Sequence, residues 1–405
     1  MHPRNPYNVP PDFHELAQAY PPLQRHLLQT ASGVTIDFHD ELAQRTLTKA
    51  LLHRDFNLDL TVPGDRLCPP VPNRLNYILW LQDIIQATSH PEDDPIIGID
   101  IGTGASAIYP ALFCRVVPDS AFVATELDER SFLSSQENVT RNCLSQRVQI
   151  FRATADGPIL FPLVSTEIRF TFTMCNPPFY SSAEDIAQSA ESKAFPPSAV
   201  CTGSEVEMIT DGGEVAFVCK MVRESLVHRE RCQWYTSMLG KLSSVTDVVK
   251  LLREHDIDNY GITEFVQGQT RRWAIGWSFG DRRLPDAIGR ITTPTLRHAM
   301  PSRTSLREPL PTKPRVQSLR ALVDSIPGAS VIEVMSDPLA LVCHLSANTW
   351  TRAARRKQGA APRISAERPL LVVQCRVREL QQPCDGREFG CRNMWLFQTY
   401  KRILS

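Results

Sequence analysis

The apolar positions in residues 96–175 fall into short runs that alternate with helical stretches and are separated by short loops. Short apolar runs of this kind predict buried strands, and their alternation with helices predicts a parallel, doubly wound, Rossmann-like α/β sheet. In such a sheet, ligands bind at the carboxyl ends of the strands. The predicted strands lie at 96–101, 121–126, 148–151 and 169–174, with a helix at 131–141 between the second and the third.

Further elements flank this sheet on both sides. Apolar residues at helical spacing predict two helices before it, at 43–53 and 75–87, which form an N-terminal helical module. After the sheet we expect a helix, a strand, a second helix and a closing antiparallel hairpin. These elements are predicted at 212–228, 232–240, 247–255 and 264–279.

The last third of the chain has a different pattern. Residues 281–315 are rich in proline and lack apolar periodicity, which predicts a disordered linker. From residue 316 a small α+β module is expected. Its predicted elements are a helix at 316–325, strands at 329–335 and 339–345, a basic helix at 350–357, a strand at 370–377 and a terminal helix at 393–403. The predicted domains are 1–90, 91–280, 281–315 and 316–405.

Composition narrows the class of protein. The 405 residues are 42% hydrophobic and 22% charged, as in an ordinary globular protein, and no apolar run is long enough to span a bilayer. The N-terminus lacks the apolar segment of a signal peptide. Eleven scattered cysteines without a C-x-x-C pair indicate free thiols in a reducing compartment, with neither a disulfide framework nor a metal site.

The formal net charge is zero, but the charges are unevenly distributed. By our count, residues 281–320 hold nine Arg or Lys against three acids, and residues 351–368 hold six against one. Such segments can neutralise the phosphates of a nucleic acid. A solvated linker is the alternative interpretation of the first segment.

The clearest chemical pattern follows the strand predicted at 169–174. The sequence Asn176-Pro177-Pro178-Phe179 comes directly after it and is followed by Tyr180. Two prolines make this loop rigid, because each fixes its own φ and restricts the residue before it. The Asn176 amide and the Pro177 carbonyl are then two fixed acceptors beside an aromatic ring, which suits a planar base carrying an exocyclic amine. An ordinary turn between strand and helix is the alternative.

A glycine turn follows the first predicted strand. Gly102 and Gly104 allow the backbone to approach a ligand closely, between Asp100 and Ser106. Glu126 ends the next strand, about 20 residues later, where an acid can bind the hydroxyls of a ribose. A glycine pair alone is a weak signal, because the full dinucleotide motif is absent.

Together these motifs resemble the adenine-N6 RNA methyltransferase family typified by the U6 small nuclear RNA methyltransferase, which is related to a bacterial enzyme that methylates large-subunit ribosomal RNA. The order is a strand, a glycine loop, a helix, a strand ending in an acid, and later a strand followed by Asn-Pro-Pro-Phe. The resemblance spans residues 1–280 in order. The matching segments are 10–13, 72–78, 98–106, 174–179, 211–214, 238–241 and 263–279.

The resemblance implies a class I methyltransferase that transfers a methyl group from S-adenosylmethionine to N6 of an adenine in structured RNA, most specifically U6 small nuclear RNA. It places Arg74 near the methionine carboxylate of the cofactor, although a surface arginine at a helix start is the alternative. It places Asp156 near the cofactor's adenine, although a core-facing turn fits equally well. The implied cofactor residues are Arg74, Asp100, Gly102, Gly104, Ser106, Glu126, Asp156 and Asn176, and the implied catalytic residues are Asn176, Pro177, Pro178 and Phe179.

The resemblance also implies contacts with RNA. It makes residues 1–90 an RNA-binding module, and it makes residues 316–405 an accessory RNA-binding module, for which a protein-interaction module is the alternative. The sequence differs from the family at two places where basic residues would bind RNA. The loop at 181–203 has Lys193 as its one basic residue, and Gln269 stands at a position that is basic in the family. The implied RNA-binding residues are Arg4, Lys241, Arg272, Arg355, Arg356 and Lys357.

Other functions remain open from the sequence. The same tetrad serves enzymes that methylate adenine in DNA or the side chain of a protein glutamine. A different class is an RNA-binding protein that uses a methyltransferase fold as a scaffold, with catalysis secondary. A monomer without metal or membrane contact is expected, in the nucleus, with the cytoplasm as a further location. The basic run at 352–357 also fits a solvated helix face.

Overall fold

A computed structural model of the chain describes residues 1–31, 33–88, 95–191, 204–268, 270–310, 315–336, 339–346, 371–380 and 394–402. The chain forms two compact units. One is built from residues 1–279 and 290–300, and the other from residues 280–289 and 301–405. Among the described residues, no helix combines the length and the apolar character that a bilayer crossing requires.

The first unit begins with helices and a short antiparallel hairpin. These elements are α1 (Phe13–Ala19), β1 (Leu27–Thr30), β2 (Gly33–Ile36), α2 (Glu41–Phe56) and α3 (Val71–Thr88), with 3₁₀ turns at Pro6–Asn8 and Pro21–His26. Asp12 caps α1 and Asp40 caps α2 by accepting hydrogen bonds from backbone N–H groups of the first turn. The two helices predicted before the sheet are confirmed, and both extend beyond their predicted bounds.

Seven strands of the described chain form the central sheet. They are β3 (Ile97–Ile101), β4 (Ala121–Glu126), β5 (Val148–Arg152), β6 (Phe170–Cys175), β7 (Cys232–Leu239), β8 (Tyr260–Gln267) and β9 (Thr270–Trp277). Their order is β5-β4-β3-β6-β7-β9-β8, in which β5 to β7 are parallel and β9 and β8 pair antiparallel at one end. The doubly wound sheet and its closing hairpin are therefore confirmed.

Helices connect these strands and cover the sheet. They are α4 (Ile108–Val116), α5 (Glu129–Arg141), α6 (Phe161–Ser165), α7 (Ala183–Glu191), α8 (Glu205–Met208), α9 (Gly213–His228) and α10 (Leu242–Glu254), with a 3₁₀ turn at Arg229–Arg231. The helix predicted at 212–228 is confirmed, and Val218 and Val222 on it are fully buried. Of the loop at 181–203, residues 192–203 with Lys193 lie outside the described part.

Close packing over β3 fixes the strand that leads into the glycine loop. A Cβ on Gly98 would lie 2.6 Å from Phe172 Cζ and 2.7 Å from Phe122 Cε1. Phe113 meets both rings, with centroid distances of 5.3 Å to Phe122 and 5.1 Å to Phe172. Only glycine at position 98 lets these buried rings close over the strand.

The segment at 281–315 is not the disordered linker that the prolines predicted. It contains α11 (Asp286–Gly289), a 3₁₀ turn at Pro294–Ala299 and β10 (Ser305–Leu310). Leu296 and Ala299 are buried in the core of the first unit. The Tyr260 hydroxyl also donates a hydrogen bond of 3.0 Å to the Ala299 carbonyl. A few buried apolar side chains therefore order a segment whose overall composition resembles a linker.

The described part of the second unit contains a five-stranded antiparallel sheet and, besides α11, one further helix. Its further elements are α12 (Val316–Asp324), β11 (Ala329–Ser336), β12 (Leu339–Leu345), β13 (Leu371–Leu380) and β14 (Met394–Arg402), and the strand order is β10-β14-β13-β12-β11. The helix at 316–325 and the three strands predicted before the C-terminus are confirmed. The basic helix predicted at 350–357 lies outside the described residues.

The predicted terminal helix is wrong. Residues 394–402 form β14, which pairs antiparallel with β10 on one side and β13 on the other. Trp395, Phe397 and Tyr400 favour a strand by their aromatic character. Pairing along both edges satisfies the backbone of this segment, and this outweighs the helical spacing of its apolar residues. The assignment of 1–90 and 316–405 as RNA-binding modules stays a prediction.

Candidate active site

The sheet register brings the three sequence motifs to one edge. Ile101 at the end of β3 pairs with Thr125 of β4 on one side and with Cys175 of β6 on the other. The next residue on each strand is therefore Gly102, Glu126 or Asn176. Because parallel strands end at the same edge, these three residues lie side by side at the carboxyl edge of the sheet, as the motif order predicted.

Glu126 organises the glycine loop. Its Oε2 accepts a hydrogen bond of 2.8 Å from Gly104 N. Its Oε1 accepts hydrogen bonds of 2.8 Å from Leu127 N and 2.9 Å from Asp128 N. Burial raises the pKa of Glu126, and these three N–H groups oppose that rise. Gly102 has φ +68°, and a Cβ built there would meet nothing within 4 Å, so open space lies beside the loop. Sequence reasoning found this acid but not its role in holding the loop.

Two buried charged groups lie under this loop with unsatisfied atoms. Asp100 is fully buried and the Thr103 side chain lies close to it, but neither carboxylate oxygen makes a well-aligned hydrogen bond with a described residue. Burial raises its pKa to about 7. Arg74 is 8% exposed and donates from Nη1 to the Tyr109 hydroxyl at 3.0 Å, while its buried Nε has no partner in the described part of the chain. The surface position considered for Arg74 is therefore wrong.

We expect Asp100→Asn to stabilise the cofactor-free protein, and increasingly so as the pH rises. Because burial raises the pKa of Asp100 from 3.8 to about 7, the folded state binds this proton more tightly than the unfolded state. The resulting stability is fully present below pH 3.8 and is lost as the pH rises through about 7. An asparagine does not titrate, so the Tm advantage of the variant should grow from about pH 5 to about pH 8.

Thermal unfolding of both proteins without cofactor over that range is the measurement. Asp119→Asn, at an exposed position after α4, is the matched control for the loss of one carboxylate. A Tm difference for Asp100→Asn that stays constant with pH would contradict the expectation.

The Asn-Pro-Pro-Phe loop places an unsatisfied amide oxygen at the same edge. Asn176 is half-buried, and its Oδ1 is buried without a hydrogen-bond partner among the residues described. Pro177 is buried beside it. The Phe179 ring is partly exposed, and the Arg272 guanidinium lies over it with Cζ 5.2 Å from the ring centroid. The arrangement offers an acceptor and an aromatic face to a guest molecule.

Tyr180, directly after the motif, joins this loop to the end of α8 through backbone hydrogen bonds. Tyr180 N donates to the carbonyl of Met208, the last residue of α8, at 3.0 Å, and Thr210 N donates to the Tyr180 carbonyl at 2.9 Å. The Lys241 ammonium lies 5.7 Å from the centroid of the Tyr180 ring. The loop therefore carries two aromatic rings, each with a basic side chain over it, and sequence reasoning did not foresee that pairing.

Two acids that sequence reasoning gave no role shape the site. Glu214 is buried and accepts hydrogen bonds of 2.9 Å from Lys241 N and 2.6 Å from Ser244 Oγ, which fixes the turn after β7. Glu207 Oε2 accepts from Leu67 N at 3.0 Å, and its Oε1 lies 4.0 Å from where a Cβ on Gly104 would stand. Their roles come from long-range contacts. The Ser-x-x-Glu capping pattern at Ser204 was the one local signal for Glu207.

Gly240 in the turn after β7 supports the Phe179 ring. A Cβ on Gly240 would lie 2.9 Å from Phe179 Cδ1 and 3.2 Å from Glu214 Oε2. We expect Gly240→Ala to displace the ring and lower kcat by about tenfold to a hundredfold, because small misplacements in an active site are costly. The cofactor Kd should not change. Steady-state kinetics and calorimetry measure the two quantities.

Gly64→Ala is the matched control, because a Cβ there meets nothing within 4 Å. An unchanged kcat in Gly240→Ala would mean that the position of the Phe179 ring is not critical.

The remaining predicted residues lie elsewhere or are already engaged. Asp156 is exposed in the turn after β5, so the core-facing alternative is wrong. Ser106 is buried in the turn before α4.

The basic residues predicted to bind RNA are already engaged where the structure describes them. Arg4 donates to Asp83 Oδ1 at 2.6 Å and to the Leu79 carbonyl at 3.1 Å. Lys241 pairs with Asp185 at 2.9 Å. Outside the described residues lie Arg355, Arg356, Lys357 and Gln269. Within the described residues, no group of three or more His, Cys, Asp or Glu is placed to hold a metal ion.

Comparison with known proteins gives a consistent result. The model of a family described as RNA methyltransferase matches residues 1–281. The U6 small nuclear RNA (adenine-(43)-N(6))-methyltransferase of Schizosaccharomyces pombe is 40% identical over 359 residues, which cover 86% of this chain and 89% of that protein.

Two solved structures extend the comparison. The hMettl16 catalytic domain in complex with MAT2A 3′UTR hairpin 6 is 39% identical, with a TM-score of 0.63, and covers 70% of this chain and 99% of its own. The N-terminal domain of human METTL16 in complex with SAH is 37% identical, with a TM-score of 0.58, and covers 69% of this chain and 99% of its own.

Proposed function

The chain belongs to the RNA methyltransferase family, and from that premise we propose that it transfers a methyl group from S-adenosylmethionine to N6 of an adenine in structured RNA. We propose U6 small nuclear RNA as the target, because the relative from Schizosaccharomyces pombe is named for that substrate. The observation that carries the proposed chemistry is the buried, unsatisfied Asn176 Oδ1 beside the Phe179 ring. Nuclear residence would follow from this target and stays a prediction.

The unsatisfied atoms at the carboxyl edge fit the cofactor. Arg74, which has an unpaired Nε, would bind the methionine carboxylate, and Asp100, which has two unpaired oxygens, would face the amino group. Glu126 would accept hydrogen bonds from the ribose hydroxyls through lone pairs not used by the three N–H groups. When bound, S-adenosylmethionine supplies an electrophilic methyl group on a positively charged sulfur.

Asn176 and Pro177 would orient the amine. The N6 amine of adenine is a poor nucleophile because its lone pair is conjugated into the purine ring. The Asn176 amide oxygen and the Pro177 carbonyl would each accept one N–H bond, which turns the lone pair out of that conjugation. The same two dipoles would stabilise the positive charge that develops on nitrogen during attack. No side-chain base is needed before transfer, because the proton can leave afterwards.

The aromatic residues of the loop would hold the base. A base inside a duplex is out of reach, so an enzyme that acts on it must extrude it and stack it. The Phe179 ring is suited to that stacking because Phe179 is partly exposed and the Arg272 guanidinium already makes a cation–π contact with the ring. Lys241, over the Tyr180 ring, would contact the neighbouring phosphate by exchanging its ion pair with Asp185. Arg4 would contribute only by exchanging its bond to Asp83, and residues 316–405 would add contacts to the RNA.

The same loop fits two other substrates, adenine in DNA and a protein glutamine, and methyl transfer distinguishes them. Labelled cofactor is offered to U6 small nuclear RNA, an unrelated structured RNA, a DNA duplex and a glutamine peptide. We expect label in U6 small nuclear RNA alone. Label in the peptide or the DNA would overturn the substrate, and firm RNA binding without label would favour an RNA-binding protein on a methyltransferase scaffold.

A further inference from the structure

A cavity of about 290 Å³ lies between the Pro21–His26 turn, α2 and residues 60–69 of the first unit. None of the residues assigned to methyl transfer lines it. Its walls are mostly apolar, with Leu42, Leu52 and Val62 among them, and Tyr20 is the aromatic residue of the lining. This volume is at the small end of ligand sites, which run from about 300 to 1,000 Å³, so it suits a single small planar group.

The charged residues that line this cavity are all basic, while Glu41 lies beside Arg45 and the charge of Asp59 acts on Tyr20. Arg25 and Lys49 line it, and no Asp or Glu is among its lining residues. Lys49, on α2, makes neither a hydrogen bond nor an ion pair with any residue that the structure describes. Arg25 donates from Nε to His26 Nε2 at 3.2 Å and has no carboxylate partner in the described part of the chain. Two basic side chains are thus available to an anion at the cavity.

The third basic residue of the cavity has a different role. Arg45 bonds Glu41 Oε1 at 2.8 Å and the carbonyls of Pro63, Gly64 and Arg66 at 3.1, 2.6 and 2.8 Å. These bonds fix the segment that forms one wall, so Arg45 is structural. Thr46 and Thr48 also line the cavity, but their hydroxyls already donate to the carbonyls of Leu42 and Pro69 and so serve the fold.

We propose that this cavity binds one unpaired nucleotide of the RNA substrate. Its base would lie against the apolar wall and the Tyr20 ring, and its phosphate would contact Lys49 and Arg25. A mostly apolar cavity that is lined by Tyr20, Lys49 and Arg25, with no acid among its lining residues, matches a nucleotide in both shape and charge. The inference rests on the proposed function, because it takes the RNA that is methylated as the ligand.

One chain segment connects the cavity to the cofactor loop. Val62, Cys68 and Pro69 line the cavity. Leu67, within the same segment, donates its N–H to Glu207 Oε2 at 3.0 Å, and Glu207 Oε1 lies beside Gly104. A nucleotide held here is therefore at a fixed distance from the reaction site, and it would set which adenine of a folded RNA reaches the Asn-Pro-Pro-Phe loop.

The test couples a protein variant with RNA variants. In a hairpin RNA that the protein methylates, each unpaired nucleotide is made abasic in turn. The Kd of each RNA is measured for the wild type, for Lys49→Glu and for the milder Lys49→Gln. Lys250→Glu, at an exposed lysine of α10, is the matched control, and thermal unfolding and cofactor Kd show that each variant is folded.

We expect the wild type to lose about tenfold in affinity at one abasic position other than the target adenine. Lys49→Glu should weaken binding of intact RNA by about tenfold, lower the salt dependence by about one phosphate contact, and show no further loss at that position. The cavity assignment would be overturned if the loss from Lys49→Glu and the loss from the abasic change multiplied at every RNA position. It would also be overturned if Lys49→Glu and Lys250→Glu bound RNA with equal affinity. Either result would leave wild-type methylation, and with it the proposed function, intact. A wild type that neither binds nor methylates RNA would instead refute the proposed function.

Discussion

Asn176→Ala is expected to abolish methyl transfer while leaving the cofactor Kd within a few fold of the wild-type value. The variant removes the amide oxygen that would orient the N6 amine and stabilise its developing charge. Removing one such preorganised group costs about a hundredfold to a thousandfold in kcat. Here the amide also positions the nucleophile, so the two losses should combine. Asn176 Oδ1 has no partner within the described chain, so its removal breaks no hydrogen bond of the fold.

Single-turnover methylation and calorimetry with S-adenosylmethionine test this expectation. Ser181→Ala is the matched control, because Ser181 follows the motif closely and its hydroxyl bonds only to Asp185 within the described residues. It should retain wild-type kinetics. Residual methylation by Asn176→Ala within tenfold of wild type would contradict the proposed mechanism.

Glu126→Gln is expected to weaken cofactor binding at least a hundredfold, with RNA affinity nearly unchanged. Both carboxylate oxygens accept backbone N–H groups, Oε2 from Gly104 and Oε1 from Leu127 and Asp128. An amide of the same size must turn its NH₂ group towards one of these donors in either orientation. A buried donor then faces another donor, which costs the desolvation of both and distorts the loop.

Calorimetry with S-adenosylmethionine measures the cofactor Kd, and fluorescence anisotropy of a labelled RNA measures the RNA affinity. Glu129→Gln is the control, because Glu129 begins the next helix with a side chain that is 78% exposed. It should bind the cofactor as the wild type does. Wild-type cofactor affinity in Glu126→Gln would show that the ribose and the loop do not depend on this carboxylate.

The core of the site could be predicted from the sequence because the strands are short apolar runs that end in chemically distinctive residues. In a parallel sheet, strand ends share an edge, so Gly102, Glu126 and Asn176 had to lie close together once the strand order was right. The buried state of Arg74 could not be inferred, because it depends on the Tyr109 ring and on packing around α3.

Other features depend on contacts between residues far apart in the chain. Glu214 accepts a hydrogen bond from Gly240 N, 26 residues later in the chain, and so fixes the turn that supports Phe179. Arg4 bonds to Asp83, to which the sequence analysis assigns no contact. No local pattern encodes either pairing. The sequence predicts a helix at 393–403, where the structure has β14, because the aromatic residues there fit either period until the strand partners are known.

The identity of the methylated atom tests the account most directly. U6 small nuclear RNA is incubated with the protein and labelled S-adenosylmethionine, digested to nucleosides and separated against standards. The account predicts label in N6-methyladenosine, and none when inosine replaces the modified adenosine, because the N6 amine is then absent. Label on a ring nitrogen, on a ribose hydroxyl or on inosine would show that the Asn176 loop does not present the N6 amine to the methyl group.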